Sequence, residues 1–287
     1  MIQLNRDLES LRSLSQIFSS SNFKKIVLRD DWENSIDRLK LHLDYDESIN
    51  VQEAFEFVYK KLENEYSNEY VYKNALLKKE LLSKFSLRNT VVFDEFKLGS
   101  SIADFVLLNG SIKIFEIKTE LDSLSKLEKQ IQDYRKFANK VYVVAHSKFI
   151  KSLKESYKNT SVGILEYKNS KLIEVIDAKE DNTFLEHETL FKTLRKKEYL
   201  EIVNDFYGYI PDLPNTLIFN ECFELTKKID LIEFQLAVLQ KIKQRKFKKN
   251  KEISIDNAPL ELTHICYTLD FAEKQYDKLQ EFLNLKL

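Results

Sequence analysis

The chain has 287 residues, room for one large domain or a compact domain with an appendage. At 43% hydrophobic, 12% aromatic and 32% charged, with only 4 Gly and 3 Pro, it is excluded from the collagen-like, low-complexity and disordered classes. Lys+Arg 45 against Asp+Glu 46 leaves a formal net charge of -1, so any surface that holds nucleic acid must be local.

Residues 5–88 predict helices throughout, with Leu8, Leu11, Leu14 and Ile17, then Phe55, Val58 and Leu62, recurring at three and four spacing and no strand pattern between them. From Thr90 the pattern changes to short apolar runs: Val91 to Phe93, Ile102 to Leu108, a turn at Asn109-Gly110, and Ile112 to Lys118. These predict a three-stranded meander. Leu124, Leu127, Ile131, Tyr134 and Phe137 restore helical spacing, and Ser125 with Glu128 has the form of a capping box. Val141 to Ala145 reads as a buried strand beside the hairpin, reached by a right-handed strand-helix-strand connection. A helix at 148–157 and a hairpin at 163–167 and 171–176 close the sheet. After Asp181 the pattern is helical to the end, interrupted at 208–214 and 254–259. The expected layout is α/β, with an N-terminal helical region 1–68, a mixed-sheet core 69–178 and a C-terminal helical region 179–287.

Cys222 and Cys266 lie far apart without a CxxC or a nearby His pair, which excludes a disulfide framework and a zinc ribbon and fits a reducing compartment. The first residues turn charged too early for a signal peptide, and no stretch approaches the roughly 20 apolar residues of a membrane helix. A soluble cytoplasmic protein without a membrane partner is the expectation. Gly99-Ser100-Ser101 is neither a nucleophile elbow nor a phosphate loop, so ATP is not implied.

Chemistry concentrates in the second and third strands. Alternation puts Glu116 and Lys118 on one face and Phe115 and Ile117 on the other. Asp104 joins the first face only if it lies opposite Glu116, which needs an odd loop such as Asn109-Gly110-Ser111; a strict two-residue turn would set it against Phe115. Two neighbouring carboxylates repel unless a cation lies between them. Hard oxygen ligands select Mg²⁺ or Mn²⁺, and a Lys two residues along the same face can hold an attacking water and offset phosphate charge. Removing either carboxylate from such a repelling pair is expected to leave the fold intact. The alternative is a solvated strand face of alternating charges.

An Asp followed by Glu-x-Lys on the next strand, after a helical lead-in, resembles the PD-(D/E)XK nuclease superfamily over about residues 69–146. Gln130 and Tyr134, one helical turn apart, resemble the Gln-x-x-x-Tyr element of its RecB-like and Cas4-like branch. The resemblance implies a restriction-endonuclease-like fold and metal-dependent hydrolysis, with Asp104 and Glu116 as metal ligands, Lys118 beside the attacking water, and Gln130 and Tyr134 orienting Lys118 or the phosphate. It also implies a further ligand from the preceding helix, best matched by Glu69, with Glu80 as the fallback. The Pro of the first motif half is absent, since Ile102-Ala103 precedes Asp104. The same Glu-x-Lys spelling at 95–97 and 166–168 lacks both the preceding Asp and the following helix. Tyr134 also fits plain core packing, and Glu69 a helix N-terminus.

Outside this block, Lys241, Lys243, Arg245, Lys246, Lys248, Lys249 and Lys251 follow one another with no acid between them. They suit a phosphate backbone, with Phe247 to stack on a base, or else a solvated helix end. The sequence thus points to a metal-dependent nuclease with DNA ahead of RNA as its partner. Its rival is a non-catalytic module on the same fold that binds nucleic acid or protein. Phage defence, restriction and mobile-element upkeep are all open as settings, and the helical flanks are open to a second copy of the chain or another protein.

Overall fold

A computed structural model describes residues 2–5, 7–45, 49–85, 89–245 and 258–287, and within them the chain divides into two units. The first comprises 1–87, 167–172 and 248–287; the second comprises 88–166 and 173–247. The two ends of the chain thus share a unit, and the stretch expected as one core, 69–178, contributes to both.

The first unit is helical: α1 (Asp7–Ser15), α2 (Ser20–Arg29), α3 (Glu33–His42), α4 (Val51–Glu65), α5 (Glu69–Leu76), a π-helical turn Leu77–Leu82, and the late helices Thr263–Leu269 and Glu273–Leu283. Asn50 and Glu53 form the capping box that starts α4, whose Val51, Ala54, Phe55, Val58 and Leu62 form one buried stripe. Phe55 receives Phe18, Phe23 and Phe282 edge-on at 5.2, 5.8 and 5.9 Å between ring centres. Through Phe282 the C-terminal helix completes the N-terminal core. The helical expectation for 5–88 needs one correction: β2 (Leu43–Asp44) interrupts it and pairs antiparallel with β1 (Gln3–Leu4). Strands of two residues have no alternation to read.

A mixed sheet of six strands, all but residues 167–172 of it in the second unit, has the order β3 (Val91–Leu98), β4 (Ser101–Asn109), β5 (Ser111–Lys118), β6 (Lys140–His146), β7 (Gly163–Lys168) and β8 (Lys171–Ile176). β3, β4 and β5 run antiparallel, and β6 lies parallel to β5 after the crossover helix α6 (Leu127–Arg135). Val106, Leu108, Ile112, Ile114, Val141 and Val143 share a core with Leu127, Ile131 and Phe137 from the α6 segment. α7 (Ser147–Tyr157), α8 (His187–Lys192), α9 (Lys196–Tyr207), α10 (Asn215–Thr226) and α11 (Leu231–Gln244) follow. A buried amide pair ties α11 to the sheet. Asn139 accepts the Ile112 N–H at 2.7 Å and donates to Gln235 at 2.9 Å, and Gln235 donates to the Phe137 carbonyl at 2.8 Å. Such groups must be paired when they leave water.

The expected capping box at Ser125 is absent. α6 starts after Lys126 with no side-chain cap, Ser125 bonds to Ser123 at 2.9 Å, and Glu128 accepts from Gln132 and Tyr157. Local hydroxyl pairing and tertiary contacts win over the cap. Among the described residues no helix is long and apolar enough to cross a membrane.

Candidate active site

The β4–β5 register runs Asn109↔Ser111, Leu108↔Ile112, Leu107↔Lys113, Val106↔Ile114 and Phe105↔Phe115, with Gly110 at φ +63 as the turn residue. This is the odd loop that the chemistry required, and one step further along both strands Asp104 and Glu116 come abreast. The ladder stops there, and the Asp104 carboxylate replaces a backbone acceptor: Oδ2 takes the Ile117 N–H at 2.7 Å. On the other side of Asp104, the pairs Asp94↔Phe105 and Phe96↔Ala103 bracket Glu95, whose φ of +53 is a strained backbone position for a residue with a Cβ.

Glu116 is 1% exposed and Lys118 8%, so this strand face is not a solvated one. Lys118 Nζ donates to Glu116 Oε1 at 2.7 Å and to Gln130 Oε1 at 3.1 Å. Gln130 Nε2 donates to the same Glu116 oxygen at 2.5 Å. The Tyr134 hydroxyl lies 2.6 Å from Glu116 Oε2 and 2.8 Å from the Ile102 carbonyl oxygen. A phenol has one hydrogen, so the two acceptors share it. Residues four apart on α6 therefore clamp one carboxylate from above while Lys118 holds it along the strand. Burial, then the charges of Glu116 and Asp104, push the Tyr134 hydroxyl well above its usual range, which keeps it a proton donor at neutral pH.

Tyr134 is thus both a core residue and a polar anchor. The expectation that Glu116 can be removed at no cost to the fold does not survive this geometry, because three side chains bond to it.

Asp133 adds a contact that sequence reasoning missed. Its Oδ2 accepts from Ser101 at 2.7 Å and from Ser100 at 3.0 Å, pinning α6 to the β3–β4 turn. Burial raises its carboxyl, but the serine hydrogen bonds outweigh this and hold it below the usual carboxylate range. The signal was an Asp beside Tyr134 and two Ser at a turn, which is too common to separate from solvated polar residues.

Glu69 belongs to the first unit, at the start of α5, where its carboxylate meets Lys73 Nζ at 2.6 Å. Glu80, in the same unit, pairs with Lys84 at 2.8 Å. In the basic run, Lys241 is bound to Asp205 at 2.9 Å and Glu201 at 3.2 Å. Arg245 is bound to Glu198 and to the Thr193 carbonyl. Lys243 is half-buried and its ammonium pKa is lowered by that burial. Lys246, Phe247, Lys248, Lys249 and Lys251 lie outside the described residues.

The donor set fits a divalent cation of the Mg²⁺ kind. A carboxylate offers about four lone pairs, and the bonds from Lys118, Gln130 and Tyr134 take three of those on Glu116. One position on Glu116 is left to act with Asp104. Among the described residues no three His, Cys, Asp or Glu side chains converge. Mg²⁺ needs no such cage, because it keeps several waters and is held through one or two carboxylates plus substrate phosphate.

The family described as bacteriophage P4 protein cII matches this chain over residues 62–262, well over half its length. The chain belongs to that family. Protein cII of Enterobacteria phage P4 is 28% identical over 199 residues, covering 64% of this chain and 72% of the phage protein. The matched stretch contains the Asp104, Glu116, Lys118, Gln130 and Tyr134 positions. A solved protein of unknown function from Silicibacter pomeroyi aligns over 47% of this chain and 88% of its own, at 14% identity and a TM-score of 0.32. That likeness is too slight to bear on fold or function.

Proposed function

We propose that this member of the cII family is a metal-dependent nuclease that hydrolyses phosphodiester bonds of nucleic acid, DNA ahead of RNA. The observation that carries the reading is the convergence of Lys118, Gln130 and Tyr134 on Glu116, next to Asp104, at the end of a β-ladder. Asp104 and Glu116 hold Mg²⁺ or Mn²⁺. The bound ion supplies charge stabilisation at the phosphate. Lys118 spends two of its three donors inside the protein, leaving one to aim a water at phosphorus or to meet a phosphate oxygen. Gln130 fixes the ammonium and the carboxylate together, so the aim of Lys118 is set before substrate arrives. Tyr134 holds the far oxygen of Glu116 and prevents the carboxylate from swinging.

A second reading is favoured by one observation. Glu116 is 1% exposed and already satisfied by protein donors, as a polar cluster retained for structure would be. The chain would then be a non-catalytic module that binds nucleic acid or protein, with a second copy as one such partner. The relationship to a phage protein supports a mobile-element setting for either reading, with phage defence among the roles open to it.

Calorimetric titration with Mn²⁺ separates them. The nuclease reading expects saturable binding that is lost in Asp104→Asn. Failure of the wild type to bind Mn²⁺, with nucleic-acid or protein binding retained, favours the second.

A further inference from the structure

We infer that the first unit carries a second, unassigned binding site: the cavity lined by α4, the π-helical turn and residues 258–261, which takes a small organic cation bearing an ammonium or guanidinium group. The cavity measures about 560 Å³ and its walls include Glu56, Tyr59, Glu63, Lys78, Leu260 and Glu261. That is the size range of small-molecule sites.

Glu261 is the decisive group. It is 5% exposed, and its Oε1 is buried with no hydrogen-bond partner among the described residues. The backbone around it is fixed: Tyr70 donates to the Glu261 carbonyl at 2.5 Å, and Asn74 donates to the Leu260 carbonyl at 3.0 Å. Asn74 also donates to the Tyr59 hydroxyl at 2.8 Å and accepts the His264 N–H at 3.0 Å. A carboxylate oxygen held this firmly and left without a donor costs stability unless something supplies one.

The choice of ligand follows from charge and geometry. Glu56, Glu63 and Glu261 outnumber Lys60 and Lys78 on the walls, which disfavours an anion. The carboxylates do not converge as a metal cage, since no such group occurs among the described residues. An N–H-rich cation can reach separated carboxylates with different hydrogens. Lys78 does not already fill this role. Its ammonium stands 5.8 Å from the centre of the Tyr59 ring, and among the described residues it closes no ion pair on these acids. It sits in a π-helical turn, a rare form frequent at functional sites. Burial raises the carboxyl pKa values of Glu63 and Glu261 and lowers that of Lys78, and the attraction between Lys78 and these acids offsets that burial only in part.

The test is calorimetry and thermal melting of the full chain with agmatine and with spermidine, and in separate arms with MgCl₂ and sodium phosphate. The expected result is saturable binding of at least one organic cation with a rise in Tm. Glu261→Gln should weaken that binding by about tenfold or more while raising the Tm of the ligand-free protein. Glu63→Gln should weaken it less, and serves as the second variant if Glu261→Gln fails to fold. Absence of saturable binding by the wild type overturns the assignment, as does equal binding by wild type and both variants. Binding of Mg²⁺ or phosphate alone that Glu261→Gln abolishes overturns the choice of an organic cation. None of these results bears on the nuclease reading, which concerns other residues in the other unit.

Discussion

Among the described residues three glutamates leave water almost completely, Glu116 at 1%, Glu80 at 4% and Glu261 at 5% exposure; Glu80 is paired with Lys84, and the surroundings of the other two are opposite. Glu116 stands on a regular strand under a regular helix. Fixed spacings then deliver its donors: Lys118 two residues along the strand, and Gln130 and Tyr134 one turn apart above it. Glu261 sits in a short 3₁₀ turn, Leu260–Leu262, where Tyr70 and Asn74 satisfy carbonyls of the backbone and leave the side-chain oxygen alone. Repeating structure can complete a polar cluster from within, whereas an irregular turn holds a charged group in place and leaves its partner to come from outside.

The comparison breaks most severely at Glu116. Glu116→Ala strands the buried Lys118 ammonium, and its expected cost in urea unfolding is about 3–5 kcal/mol. A cost near zero would mean that the cluster is not held as described. Tyr134→Phe removes the donor shared by Glu116 Oε2 and the Ile102 carbonyl, and should cost about 1–3 kcal/mol by the same measurement.

At Glu261 the sign reverses. Its folded pKa is raised from the ordinary 4.5, so the folded state holds a proton that the unfolded state has released, and stability falls as pH rises above that value. Melting profiles of Glu261→Gln should show a shallower fall above pH 4.5 than the wild type, with Glu63 supplying what slope remains. An effect of the opposite sign belongs to Asp181 in the second unit. Burial raises its carboxyl, but bonds from Thr183, Ser161 and Arg135 outweigh this and hold it far below the ordinary 3.8. Its stabilising contribution is complete above 3.8 and is lost as pH falls through the depressed folded value, so Asp181→Asn should flatten the acid limb of the profile.

The contrast between the two glutamates also marks what was legible in the sequence. Strand alternation was enough to put Glu116 and Lys118 on one face, and four-residue spacing to put Gln130 and Tyr134 on one face, whereas the Asn109-Gly110-Ser111 turn left two registers open and only the chemistry expected of Asp104 selected the one that the structure has. The two spacings are local periodicities that the backbone must obey. The donors to each oxygen were not legible, because a Gln or Tyr on the right face can equally bond to Lys118 or pack in the core. Nor was the union of the chain ends. Phe282 meets Phe55, and Val51 donates to the Leu285 carbonyl at 2.9 Å, through contacts with no local signature. Glu261 was invisible for a related reason: in a chain with 46 acidic residues, one Glu after a Pro-Leu pair reads as surface until Tyr70 and Asn74 are seen beneath it.

Hydrolysis as proposed turns on Lys118, and it is tested by cleavage of single-stranded and duplex DNA and RNA by the wild type and by Lys118→Met, with folding checked by circular dichroism. The wild type should cleave at least one of these in Mg²⁺ or Mn²⁺, stop in chelator, and prefer DNA, while folded Lys118→Met should not cleave. A wild type that cleaves none of them in either metal, or a Lys118→Met that cleaves at the wild-type rate, would contradict hydrolysis as proposed.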